Sequence, residues 1–273
     1  MAPDRRRTAS IAVGVIVVVA LAVGAGSAFL GGHPAASPFV APPPPCIATV
    51  SGERVALDFE QAQNATTIAA VGKRLGLADH AVTIALAVAY QESRLLNLDH
   101  GDRDSLGLFQ QRPSQGWGTQ AEIMTPHRSA ATFYRHLGQV DGWSALPVTV
   151  VAQKVQRSAT PDAYGRWESV SRVLAQALTG EAAAGFACRA PVVTPKLDRA
   201  AVTAAMATEL GSASLDSGGV PARGWVVASW LVGHARAFGI RSVSFGGQRW
   251  TAASRTWRTA PSTADPTVVA FRA

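Results

Sequence analysis

The hydrophobic pattern opens with an uncharged apolar run from Ile11 to Leu30 that has no polar face. Its length matches the roughly 20 residues a helix needs to cross a bilayer. Further on, the pattern changes to helical spacing. Phe59 to Leu75 has helix-like composition. A second helix is expected from an N-cap at Asp79 through Val82, Ile84, Leu86 and Val88 to Glu92. A loop rich in Asp, Gly and Ser follows, from Asn97 to Gly118. Helices are then predicted over Arg128 to Leu137, from Pro147 to Arg157, and from Pro161 through Tyr164 and Trp167 to Leu178. Few segments alternate with a period of two, so residues 46–190 read as mostly α. Beyond Pro191 the pattern shifts. Asp198 to Leu210 and Trp225 to Phe238 read as helices closing on Gly211 and Gly239. Ile240 to Phe245, Gln248 to Thr251 and Thr267 to Phe271 read as strands, with a hairpin at Gly246-Gly247.

The expected organisation has six parts. Residues 1–10 are a basic cytoplasmic segment, and 11–30 are a transmembrane helix serving as signal anchor, or else a cleaved signal peptide. Residues 31–45 are a proline-rich linker. Residues 46–190 form the mostly α domain, 191–197 a second linker, and 198–273 a small α+β domain. Arg5, Arg6 and Arg7 precede the apolar run and favour a cytoplasmic N-terminus. Either reading of the run leaves the bulk of the chain outside the membrane, single-pass at the cell membrane or secreted after cleavage. The run Pro42 to Pro45 is stiff and extended and would hold the following domain away from a membrane.

Charge and cysteine content narrow the partners. The formal net charge is +7, which suits an anionic partner such as lipid headgroups or an acidic wall polymer. Basic-aromatic interleaving is lacking, and with the export signal this argues against nucleic acid. The chain has two cysteines, Cys46 and Cys188, both beyond the span. An even count in an exported chain favours a disulfide. The six histidines are scattered and no Cys-x-x-Cys occurs, so no metal and no cofactor is expected.

The chemistry centres on Ala89-Tyr90-Gln91-Glu92-Ser93-Arg94. Glu92 ends an otherwise apolar helix. The negative end of the helix dipole and the apolar surroundings both disfavour its charge, so its pKa should rise. A carboxyl held protonated near neutral pH is what a glycosidase needs to protonate a leaving oxygen. Gly101-Asp102-Arg103-Asp104-Ser105-Leu106-Gly107-Leu108-Phe109-Gln110-Gln111 follows downstream. Glu-Ser at a helix end, followed by Ser-x-Gly-Leu-Phe-Gln, resembles the lytic transglycosylase and goose-type lysozyme superfamily. The likeness covers about residues 57–167 and includes Trp143, Val155-Gln156-Arg157-Ser158 and Pro161-Asp162-Ala163-Tyr164. It is similar to a lysozyme-like domain of exported actinobacterial proteins.

The resemblance implies a lysozyme-like fold with Glu92 as the catalytic acid and Tyr164 beside it. Peptidoglycan glycan strands would be the substrate. Ser105, Gln110, Gln111, Tyr164 and Trp117 are the expected substrate contacts. Gln110 and Gln111 supply donors and acceptors for sugar hydroxyls and N-acetyl groups, and Trp117 supplies a flat stacking face. Hydrolysis usually needs a second carboxylate. Asp102 and Asp104 are the candidates, although goose-type enzymes carry an aspartate after the Gly-Leu-Met-Gln turn where this chain has Gln111-Arg112-Pro113. The resemblance therefore implies a one-glutamate lytic transglycosylase more than a hydrolase. The alternative is a non-catalytic wall-binding scaffold of the same shape. The tail bears a partial resemblance to a C-terminal domain of actinobacterial wall hydrolases related to zinc carboxypeptidases. It has no histidine at the strand Val268-Val269-Ala270-Phe271, so a binding or bracing role is expected.

Overall fold

The computed structural model describes residues 43–158, 161–190, 196–260, 265 and 267–273. The basic segment 1–10, the expected span 11–30, most of the proline-rich linker and residues 191–195 lie outside these. Among the described residues no helix is long and apolar enough to cross a membrane.

The chain enters through a hairpin that the helical reading missed. β1 (Cys46–Val50) pairs antiparallel with β2 (Glu53–Leu57) across Ser51-Gly52. Both turn residues have positive φ, +51° and +87°, as a tight two-residue hairpin requires. α1 (Phe59–Arg74) then begins in a capping box, with Asp58 and Gln61 each accepting the other's backbone N–H. From Asn64 to Gly72 every residue of α1 is buried. α2 (Asp79–Ser93) is also buried without interruption from Ala81 to Tyr90. A helix apolar all round belongs in the middle of a core, and α2 lies there, packed on α1 and on the later helices. Its cap is Ala78, which has no side-chain cap bond. Asp79 is instead the first helical residue and pairs with Lys73 at 2.7 Å.

After the loop come α3 (Gln120–Ile123), α4 (Pro126–Leu137) and α5 (Val148–Gln156). The long helix expected from Pro161 is two pieces: a 3₁₀ segment over Pro161–Trp167, then α6 (Glu168–Leu178). β3 (Phe186–Cys188) returns to the far side of β1, giving the order β2-β1-β3. Cys46 faces Cys188 in this register and the two are joined by a disulfide. The bridge thus closes a small sheet that ties the two ends of the helical section together.

α7 (Arg199–Leu210) starts at an Asp198 cap and ends at Gly211 in the left-handed region. α8 (Pro221–Gly233) starts four residues before the expected Trp225 and stops at His234. α9 (Ala235–Phe238) follows as a separate turn. β4 (Ser242–Phe245) and β5 (Gln248–Thr251) form the hairpin at Gly246-Gly247, whose φ values are +55° and +72°. β6 (Arg258–Thr259) and β7 (Ala270–Arg272) complete a second sheet in the order β6-β5-β4-β7.

The two expected domains share one hydrophobic core. α8 packs on α1, α6 and β3, and its Trp230, Leu231 and Val232 join the same buried cluster as Ile68 and Leu174. Polar bonds reinforce the join. The indoles of Trp250 and Trp257 donate to the carbonyls of Cys188 and Phe186, at 2.8 and 2.7 Å. Glu209 of α7 accepts from Thr67 of α1 at 2.8 Å and from the Trp230 indole at 2.7 Å. His234, only 2% exposed, stacks on Trp230 and lies 3.7 Å from Glu209.

Candidate functional site

Glu92 lies on the last turn of α2, where the chain leaves the core. Arg94 and Leu95 both take left-handed backbone, with φ of +58° and +63°. Two α1 side chains fix that exit. Gln61 Nε2 donates to the Arg94 carbonyl at 2.9 Å, and Asn64 Nδ2 to that of Leu95 at 2.8 Å. Such bonds satisfy carbonyls that a helix end would otherwise leave bare.

The 3₁₀ segment carries Tyr164 to Glu92. The Tyr164 hydroxyl donates to Glu92 Oε1 at 2.7 Å, and its ring is fully buried. The neighbours of Glu92 clamp this segment in place. Gln91 Oε1 accepts from Arg166 at 2.8 Å and from the Trp167 indole at 2.9 Å. Tyr90 stacks on Trp167 at 5.2 Å, and the Arg94 guanidinium lies over the same ring. Gln91 and Trp167 were not among the expected site residues. The signal for them was only their place beside Glu92 and Tyr164 in the chain.

Burial pushes the Glu92 carboxyl above its ordinary range, and the Tyr164 hydrogen bond offsets part of that rise. The Tyr164 phenol is pushed well above its own ordinary range, first by burial and then by the charge of Glu92, so it stays a neutral donor. The pair therefore holds a carboxyl that keeps its proton to a higher pH than an ordinary glutamate, with its orientation fixed by a rigid ring.

The Ser-x-Gly-Leu-Phe-Gln run forms a tight turn against the same helix end. Leu106 and Gln111 exchange backbone hydrogen bonds of 3.0 Å each and close the turn. Gly107 has φ +74°, and a Cβ there would come within 2.8 Å of the Ile123 carbonyl, so only glycine fits. Two consecutive carbonyls of the turn are held by side chains of two different helices, α2 and α5. Ser93 Oγ donates to Leu108 at 2.7 Å, and Gln156 Nε2 to Phe109 at 2.9 Å. Ser93 of the Glu-Ser pair thus fastens the turn to the residue next to Glu92.

The other expected site residues are placed variously. Ser105 is buried within the loop at 7% exposure. Gln110 has positive φ and turns its amide inward, donating to the carbonyls of His100 and Gly107 at 3.2 and 3.3 Å. Gln111 corrects the expectation of a sugar contact. It is 1% exposed and donates to the Ser129 carbonyl at 3.2 Å, out of reach of any ligand. Trp117 is half-buried and stacks on His136 with centroids 4.1 Å apart. The two rings help line a pocket of about 640 Å³ with Gln115, Gln139, Lys154 and Arg157.

Neither candidate second carboxylate meets Glu92. Asp102 has a side chain 90% exposed and faces Arg103 at 3.9 Å. Asp104 binds Arg112 Nε at 2.7 Å and the Ser114 backbone N–H at 2.9 Å, staples of its own loop. Hydrogen bonds from Ser114 and then Arg112 hold its carboxyl well below the usual range, so it stays a charged staple. Among the described residues no group of three or more His, Cys, Asp or Glu side chains comes together as a metal site would need.

No protein-family model and no curated protein matches the chain.

Proposed function

We propose that this protein cleaves peptidoglycan glycan strands as a lytic transglycosylase, with Glu92 as acid and then base. The observation that carries the proposal is the 2.7 Å bond between a half-buried, raised-pKa Glu92 and a neutral Tyr164, at the end of an apolar helix backed by the 106–111 turn. A carboxyl in that state can protonate the oxygen between N-acetylmuramic acid and N-acetylglucosamine as the C1–O bond breaks. The carboxylate left behind takes the proton of the muramyl C6 hydroxyl, whose oxygen bonds to C1. The ring closes without water and Glu92 regains its proton. Tyr164 orients the carboxyl through both halves by donating to it.

The positions of the aspartates favour this route over hydrolysis. With Asp102 in solvent and Asp104 engaged by Arg112, neither candidate aspartate is placed to activate water opposite Glu92. The basic tail fits an acidic wall polymer as a further partner. Arg249 and Arg258 stand opposite each other on β5 and β6, a like-charge pair that an anion would relieve. Anchoring or export through residues 11–30 completes the proposal and puts the activity outside the membrane.

A second reading, wall binding without cleavage, is favoured by the inward-turned Gln110 and the buried Gln111, which leave the turn with fewer groups for sugar. Product chemistry separates the two. Purified peptidoglycan is incubated with the protein and the soluble fragments are weighed by mass spectrometry. Anhydromuramyl ends, one water lighter than reducing ends, are expected. Reducing muramic acid ends would mean hydrolysis, and bound but intact peptidoglycan would mean the scaffold.

A further inference from the structure

A second concavity lies away from Glu92, where the ends of α1, α6 and α7 meet the start of α8. It measures about 570 Å³, within the range of small-molecule sites. Its apolar wall is Leu210, Val220, Val226 and Val227. Val220, 55% exposed, is the most open of the three exposed large hydrophobics among the described residues, and a second, Leu75, follows Arg74 of the rim. Exposed aliphatic surface beside a cavity is costly in water and is recovered when an apolar body covers it.

The charges at the rim are unequal in what they have left to offer. Three cations (Lys73, Arg74 and Arg223) and two carboxylates (Asp79 and Glu181) line the cavity. Both carboxylates are already engaged, Asp79 by Lys73 at 2.7 Å and Glu181 by Arg172 and Gln176 at 2.8 Å each. Arg74 and Arg223 have neither an ion pair nor a side-chain hydrogen bond among the described residues. The residual field at the mouth is therefore that of two unpaired guanidiniums. A guanidinium is weakly hydrated and shaped for the two oxygens of an acidic head. α8 also opens at this wall, so the positive end of its dipole adds to the field.

We infer that this cavity is a binding site for a small amphipathic anion, its apolar body on Val220, Val226 and Val227 and its acidic head between Arg74 and Arg223. The site is independent of the chemistry at Glu92. It bridges α1 and the tail helices, so a bound ligand braces the tail against the section that carries the candidate active site.

The test is equilibrium dialysis of the full chain against three probes of one shape: naphthalene-2-carboxylate, 2-naphthyl phosphate and the neutral 2-naphthamide. The acidic probes should bind at one site per chain and the amide at least tenfold more weakly. The stronger of the two acids tells whether the head is a carboxylate or a phosphate. Arg74→Gln and Arg223→Gln change exposed side chains. Each should weaken the acidic probes several-fold, and the pair at least tenfold, with unchanged circular dichroism and unchanged action on peptidoglycan. Equal binding of acid and amide, retention of full affinity by the double variant, or no saturable binding of either acid up to millimolar concentration would each overturn the site.

Discussion

Replacing Tyr164 with Phe removes one oxygen from a fully buried ring and nothing else. The lost contacts are the 2.7 Å bond to Glu92 and the hydroxyl's hydrogen bond with Ser158, which does not change with the charge of Glu92. A hydrogen bond to a charged group contributes about 1.5–3 kcal/mol, and one between neutral groups about 1 kcal/mol. Tyr164→Phe should therefore cost about 1.5–3 kcal/mol where Glu92 is ionised and about 1 kcal/mol where it is protonated. The bond lowers the Glu92 pKa against the larger effect of burial, so its loss should push that pKa higher still. In the wild type the folded pKa stands above the unfolded value. Glu92 thus contributes stability that is fully present below the ordinary carboxylate pKa and is lost as pH rises through the folded pKa. The variant should extend that loss and show a steeper decline toward neutral pH. Urea unfolding at about pH 4 and pH 7 gives the two costs. Carbon NMR of protein labelled at glutamate carboxyls gives the Glu92 titration directly. An unchanged or lowered Glu92 pKa, with the same destabilisation at both pH values, would refute the reasoning and reduce Tyr164 to packing.

Two further outcomes follow from the packing. Reducing the Cys46–Cys188 bridge, whose ends are 142 residues apart, should cost up to about 5 kcal/mol of chain entropy, read as a lower urea midpoint, while the unreduced denatured protein shows no reactive thiol. Burial holds the His234 pKa below its ordinary value, with Glu209 offsetting part of the shift, so the unfolded chain takes up a proton first as pH falls. Stability should drop from the ordinary histidine pKa down to the folded one and then level, and His234→Asn should flatten that slope; an equal slope in the variant would place the effect elsewhere.

Much of the helical layout was legible because the signals were local. The apolar run of α2, the left-handed closure at Gly211 and the Gly246-Gly247 hairpin depend on residues within a few positions of one another. The sheet β2-β1-β3 was not, since its last strand is three residues long and pairs with a partner far back in the chain. The end of α8 was missed because His234 reads as an ordinary helical residue. Its ring instead turns back to within 2.9 Å of the Trp230 carbonyl and into the Glu209 node. That Tyr164 meets Glu92 was expected only from the family resemblance, and the two side chains do meet. The inward turn of Gln110 and the burial of Gln111 could not be read from the sequence. They follow from the positive φ of Gln110 and from where α4 places the Ser129 carbonyl, neither of which is written in residue type. Asp104 likewise looked like a candidate for chemistry until its partners on the 112–114 stretch were seen.

The central claim is that the Glu92 carboxyl does the proton transfers, and the most direct measurement is the rate of fragment release from purified peptidoglycan by wild type and Glu92→Gln. The amide keeps the size of the side chain and can still accept from Tyr164, so folding and binding to peptidoglycan should persist. General acid–base help amounts to roughly a hundred- to ten-thousandfold. The account predicts anhydromuramyl fragments from the wild type and a loss of that order in the variant, with sedimentation alongside insoluble peptidoglycan unchanged. Equal release by both proteins, or release by neither with equal binding, would contradict it.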